Sequence, residues 1–180
     1  MTQPFLKAAF ALACLAMPTF ASAEGTLDVV AQFEIQAPEP STSGFIFTRM
    51  GVAETLVNAT PDGKLVPGLA TSWKVSGDGL SWIFALRDGV LFHDGSAMTA
   101  ATVVNALEIA RTKPGPLGGL PITGIAAEEG AVAITLSEPL AALPAFLAEF
   151  RSQILSPASY APDGTGIAII GTGPYRITQM

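Results

Sequence analysis

The sequence predicts a mixed fold of the α/β class, an α+β arrangement of short strands, hairpins and helices, and three observations predict it. Apolar runs separated by glycine-rich turns occur twice, at 73–86 about Ser76-Gly77-Asp78-Gly79 and at 122–136 about Glu128-Glu129-Gly130. Alternating apolar runs on either side of such a turn are a hairpin pattern. Behind Thr99, the apolar residues Val103, Val104, Leu107, Ile109 and Ala110 follow a helical period. Hydrophobic residues make up 49% of the 180, and charged residues 13%, which supplies ample material for a core of about one domain. The chain carries no internal repeat and no low-complexity tract.

Taken in order, the first 23 residues have the form of an export signal. Lys7 supplies a positive start, Ala8 to Met17 is an uncharged apolar run, and Ala21-Ser22-Ala23 offers small residues for cleavage before Glu24. That run is too short for a membrane span, which needs about 20 apolar residues. Ala11-Leu12-Ala13-Cys14 also resembles a lipidation box, but only six apolar residues separate Lys7 from Cys14, so cleavage after Ala23 fits better. Thr26 to Ala31 reads as a buried strand, and Pro38 and Pro40 with Ser41-Thr42-Ser43-Gly44 read as a loop. Phe45 to Leu56 has helical spacing, with Ser43 or Thr42 as its cap. Pro61-Asp62-Gly63 is a turn, and the first hairpin follows. Arg87-Asp88-Gly89 then turns the chain into a short strand at Val90–Phe92, and Asp94-Gly95 turns it again. Thr99 stands where a helix N-cap belongs, a hydrogen bond worth about 1 kcal/mol. Thr102 occupies the position of a capping-box partner instead of Glu or Gln, which predicts only half of that device. After the second hairpin, Leu140 to Phe150 reads as a short helix with Pro144 in its first turn.

Charge and residue inventory exclude several function classes. Net charge is −6 and no stretch is basic, which argues against a nucleic-acid partner. A metal site needs three or four His, Cys, Asp or Glu ligands, whereas the chain has one histidine, His93, and one cysteine, Cys14, inside the export signal. Neither G-x-S-x-G nor H-E-x-x-H occurs. No catalytic residue, resident metal or cofactor is therefore expected, and His93 reads as a turn residue preceding a capped helix.

The residues from Pro67 to Val104 then carry a resemblance. Pro67-Gly68-Leu69-Ala70-Thr71-Ser72-Trp73, the run Asp78 to Gly95 (D-G-L-S-W-I-F-A-L-R-D-G-V-L-F-H-D-G), Thr99-Ala100-Ala101-Thr102-Val103-Val104 and Gly171-Thr172-Gly173-Pro174-Tyr175 occur in this order. They resemble the signature segments of the family 5 extracellular solute-binding proteins, the receptors of dipeptide, oligopeptide and nickel ABC importers. The acidic residues common after the family's Thr-Ala are replaced here by Ala101 and Thr102. The resemblance implies the N-terminal part of a two-lobed periplasmic-binding-protein fold of type II form. It implies a first strand region of lobe one at 24–44, an inserted subdomain at 45–167, and a return to lobe one at 168–180 that is truncated. The family's matching histidine belongs to a structural segment, in keeping with the reading of His93.

The resemblance also implies that the stretch from Thr42 to Ile46 sits at the mouth of lobe one, where Thr42 would offer a hydroxyl and Phe45 an apolar wall. Thr42 as a helix cap and Phe45 as core is the competing assignment. Arg151 follows the apolar run Phe146 to Phe150, where its fork suits a carboxylate of a peptide or chelator. Pairing with Glu149 on the surface is the alternative. The implied function is the periplasmic substrate-binding component of an ABC importer for peptides or chelated nickel, handing its ligand to permease subunits with no chemical step of its own. A secreted hydrolase or structural module sharing only the patterning is the alternative.

Overall fold

Pro40 opens the first helix, α1 (Pro40–Arg49), of a computed structural model that describes residues 34–179, all within one compact unit. The expected strand at Thr26–Ala31, the export signal and Cys14 lie outside the described residues. Proline suits the first helical turn because its missing N–H would have had no intrahelical acceptor there. The helix therefore begins five residues before the expected Phe45, within what reads as a proline loop. Its N-cap is Glu39, without a side-chain cap bond, so neither Ser43 nor Thr42 caps it. Ser43 is instead buried, its Oγ accepting from the amides of Gln36 and Ala37 at 3.1 Å each.

α1 also stops earlier than its apolar spacing suggests. Gly51 takes φ 62°, its amide donates to Thr48 O, and the Val52 amide donates to Phe47 O. These two bonds close the helix in a Schellman motif. Val52, Ala53 and Leu56 are buried all the same, outside any helix.

Strands β1 (Val57–Ala59) and β2 (Leu65–Pro67) pair antiparallel across the turn at 61–63. β3 (Ala70–Val75) and β4 (Ser81–Leu86) form the first expected hairpin, and β5 (Ile122–Glu128) and β6 (Ala131–Leu136) the second. The hairpins join through β4 and β6 into one antiparallel sheet of order β3-β4-β6-β5. Among the described residues β3 and β5 are the outer strands, and each carries one extra residue, Thr71 in β3 and Thr123 in β5. Each of these threonines donates its hydroxyl to a carbonyl of the adjacent strand at 3.2 Å, Thr71 to Ala85 and Thr123 to Thr135.

Helix α2 (Ala100–Thr112) packs on β5 and β6 with Val103, Ala106 and Leu107 buried. Its capping box is complete. The Thr99 hydroxyl accepts from the Thr102 amide, and the Thr102 hydroxyl accepts from the Thr99 amide. Threonine thus does the work of the expected Glu or Gln, because its Oγ1 is an acceptor at the same reach. Trp82 and Phe84 on β4, Val132 and Ile134 on β6, and Leu56, Leu69 and Ile154 complete the main core. A fully buried phenylalanine such as Phe84 is worth about 3–5 kcal/mol against alanine.

Two further expectations shrink. Val90–Phe92 is no strand; Leu91 forms one isolated bridge with Ala97 around the Asp94-Gly95 turn. The apolar run at 140–150 folds as a single helical turn, α3 (Leu143–Phe146), then a 3-10 turn at Phe150–Ser152. Pro144 lies in the first turn of α3, as its chemistry requires.

Candidate ligand-binding face

Helix α1 and the 3-10 turn at Phe150–Ser152 pack against each other, and this contact is possible because position 44 is glycine. A Cβ there would lie 2.6 Å from Phe150 O. The close approach brings Phe45 and Phe150 together edge to face, with ring centroids 6.0 Å apart at 69°. Arg49, one turn along α1, lies 4.6 Å above the Phe45 ring, and Arg151 lies 4.4 Å above that of Phe150. Four side chains thus form a stripe, cation–aromatic–aromatic–cation, with both arginines stacked on ring faces.

Phe45 and Phe150 line a groove of about 410 Å³ whose polar lining includes Thr48, Asn58 and Gln153. Gln153 is 1% exposed. Its Nε2 donates to Thr48 Oγ1 at 2.7 Å, Gly44 O at 3.2 Å and Ala53 O at 3.4 Å, while its Oε1 accepts from no described group. Two carboxylates line the groove as well. Glu54 receives Arg87 Nη2 at 3.1 and 3.2 Å and the Thr172 hydroxyl at 2.8 Å. Glu149 receives Arg151 Nη1 at 2.7 Å and the Arg151 amide at 2.8 Å. A second, more open groove of about 730 Å³ lies along Ser41, Pro114, Pro116, Ala142, Phe146 and Arg151.

The three sequence-derived candidates fall as follows. Phe45 is a partly exposed groove wall, 39% accessible, and not core. Thr42 is exposed on α1, three residues before it. Arg151 sits beside Phe150, yet the pairing with Glu149 weighed against its ligand role is present. Arg49 and Gln153 had no sequence signal. Arg49 ends a helix that starts earlier than its apolar spacing indicates, and Gln153 is a lone amide in an apolar run.

His93 stands apart from the grooves. Gly171 N donates to its Nδ1 at 3.3 Å, so the ring proton sits on Nε2, which donates to Gly173 O at 2.8 Å. Among the described residues no three His, Cys, Asp or Glu side chains cluster as a metal site, and no helix is long and apolar enough to cross a membrane.

A profile of the bacterial extracellular solute-binding proteins, family 5 (middle region), matches residues 64–180. The chain belongs to that family. Glutathione-binding protein GsiB of Pectobacterium atrosepticum is 31% identical over 172 residues, covering 91% of this chain and 34% of GsiB. Among solved structures, AgaA from A. tumefaciens R10, in complex with agropinic acid, is 30% identical with TM-score 0.69 over 82% of this chain and 32% of its own. NikA from Staphylococcus aureus, in complex with Ni(L-His)2, aligns with TM-score 0.72 over 81% of this chain and 31% of its own; at 24% identity that likeness speaks to fold. The chain therefore spans about a third of the length of these relatives, and it covers part of the two-lobed periplasmic-binding-protein fold of NikA.

Proposed function

We propose that this chain forms one wall of the solute-binding cleft in the substrate-binding component of an ABC importer. Its cargo is peptide or chelated nickel, taken up in the periplasm and passed to membrane permease subunits. The observation that carries the reading is the partly exposed Phe45–Phe150 pair lining one groove, in a chain of a solute-binding family. Aromatic walls with a few fixed polar groups are what small-ligand sites are built from. Within this reading Phe45 packs the apolar part of the ligand, Thr42 lends a hydroxyl at the mouth, and Arg151 stacks at the rim. The reading includes export with cleavage after Ala23 and the lobe-one boundaries at 24–44, 45–167 and 168–180. It includes no chemical step on this chain; ATP is hydrolysed by another subunit.

Two lobes closing on a ligand supply most of its enclosure, so a single wall binds weakly. No micromolar affinity is expected of this chain alone. Amide NMR titration of the 180-residue chain with millimolar glutathione, and separately with a nickel–histidine complex, tests the reading. Saturable shifts at 42–54 and 149–153 are the expected result. Shifts confined to other surfaces, or none with either ligand, would overturn it.

A further inference from the structure

We infer that the ligand carries a carboxylate and that Arg49 is the residue that selects it. This rests on the reading of the Phe45–Phe150 groove as a cleft wall. The groove is lined by three ionisable residues, Arg49, Glu54 and Glu149. Both carboxylates are already matched: Glu54 by Arg87 and the Thr172 hydroxyl, Glu149 by Arg151. Arg49 makes no ion pair among the described residues. Among the described residues the groove therefore presents one uncompensated positive charge, on a chain whose net charge is −6.

The geometry suits that charge to recognition. Contact with the Phe45 ring restrains the guanidinium, and its N–H groups meet no acceptor among the described residues, so less freedom is lost when a carboxylate docks. The ring pair beside it, Phe45 with Phe150, supplies apolar surface for the rest of the same molecule. Arg151, the arginine the sequence favours, is the poorer anion site, because Glu149 already takes its Nη1. Arg49 is also exposed in the last turn of α1 and holds no ion pair among the described residues, so removing it does not threaten the fold.

The test uses amide NMR titrations of the full chain with two probes, glutathione and trialanine, each as the acid and as the carboxamide in which every carboxylate is neutral. Both acids are expected to shift resonances around 44–54 and to bind about fivefold tighter than their amides, the scale of one partly exposed charge-assisted hydrogen bond. Arg49→Gln should abolish that difference by weakening the acids alone, and Arg49→Lys should keep part of it. Equal affinity for acid and amide, or an unchanged preference in Arg49→Gln, overturns the selection by Arg49 while leaving the solute-binding wall intact. No shifts at this face with any of the four probes overturns both.

Discussion

His93 Nε2 lies 2.8 Å from Gly173 O, and the same ring accepts the Gly171 amide through Nδ1, so one imidazole fastens two main-chain groups about 80 residues further along the chain. The His93 amide adds a third bond, to Gly171 O at 2.9 Å. The histidine is thus a turn residue that also anchors a distant segment.

Replacing it tests that anchoring. A plain turn histidine should cost no more than about 1 kcal/mol on truncation. Two lost bonds to partly buried backbone raise the expectation for His93→Ala to about 1–3 kcal/mol. Urea unfolding gives the stability change, and hydrogen exchange at Gly171 and Gly173 should quicken well before global unfolding. Unchanged exchange there would show that the ring does not hold the segment.

Gly44→Ala sets two effects against each other. Alanine gains up to about 1 kcal/mol of helix propensity. Its Cβ, however, meets Phe150 O at 2.6 Å and Gln153 Oε1 at 3.2 Å, and overpacking against backbone costs about 1–3 kcal/mol. Net destabilisation is expected, with a changed near-UV signal from Phe45 and Phe150. A variant more stable than the parent would mean that α1 and the 150–152 turn can part freely.

Thr99 and Thr102 should behave as a coupled pair. Thr99→Ala is expected to cost about 1 kcal/mol, and Thr102→Val a smaller amount. The double variant should cost less than the two singles together, because either change breaks the reciprocal cap. Strict additivity in chemical denaturation would argue that the two bonds are independent.

Asp94 predicts an acid limb. Its carboxylate accepts from the Ser96 hydroxyl at 2.6 Å, the Ser96 amide at 2.9 Å and the Ser156 hydroxyl at 2.9 Å, and these bonds hold its pKa below the ordinary value of 3.8. Because the folded pKa is depressed, the unfolded chain binds the proton more readily. The stabilisation is present above pH 3.8 and is lost as pH falls through the folded value. Asp94→Asn should therefore flatten the decline in urea midpoint below about pH 4. An equally steep decline in the variant would assign the acid limb to other carboxylates.

Much of the scaffold is legible in the sequence because it rests on local rules. The hairpins at 73–86 and 122–136 follow from strand alternation broken by glycine, and Gly79 and Gly130 take φ 76° and 65° at those turns. Thr99 reads as a cap because capping is a three-residue interaction. The face with Phe45 is less legible, since it depends on two devices that spacing does not reveal: a proline that starts α1 and Gly51 that stops it. Gln153 acquires its role from Gly44 and Thr48, about a hundred residues away, and Arg49 from a local contact with Phe45 that depends on where α1 begins and ends. Arg151 reads in the sequence as a cation beside an apolar run, and its ion pair with the nearby Glu149 is one of two assignments the sequence allows.

The two threonine bulges bear on how copies of this chain can meet. An extra residue at Thr71 and at Thr123 bends each outer strand and strengthens its twist. The hydroxyl of each threonine also turns inward onto its own sheet. A foreign strand approaching either border therefore finds no flat ladder to extend. Growth of the described sheet from one molecule to the next is disfavoured at both of these borders.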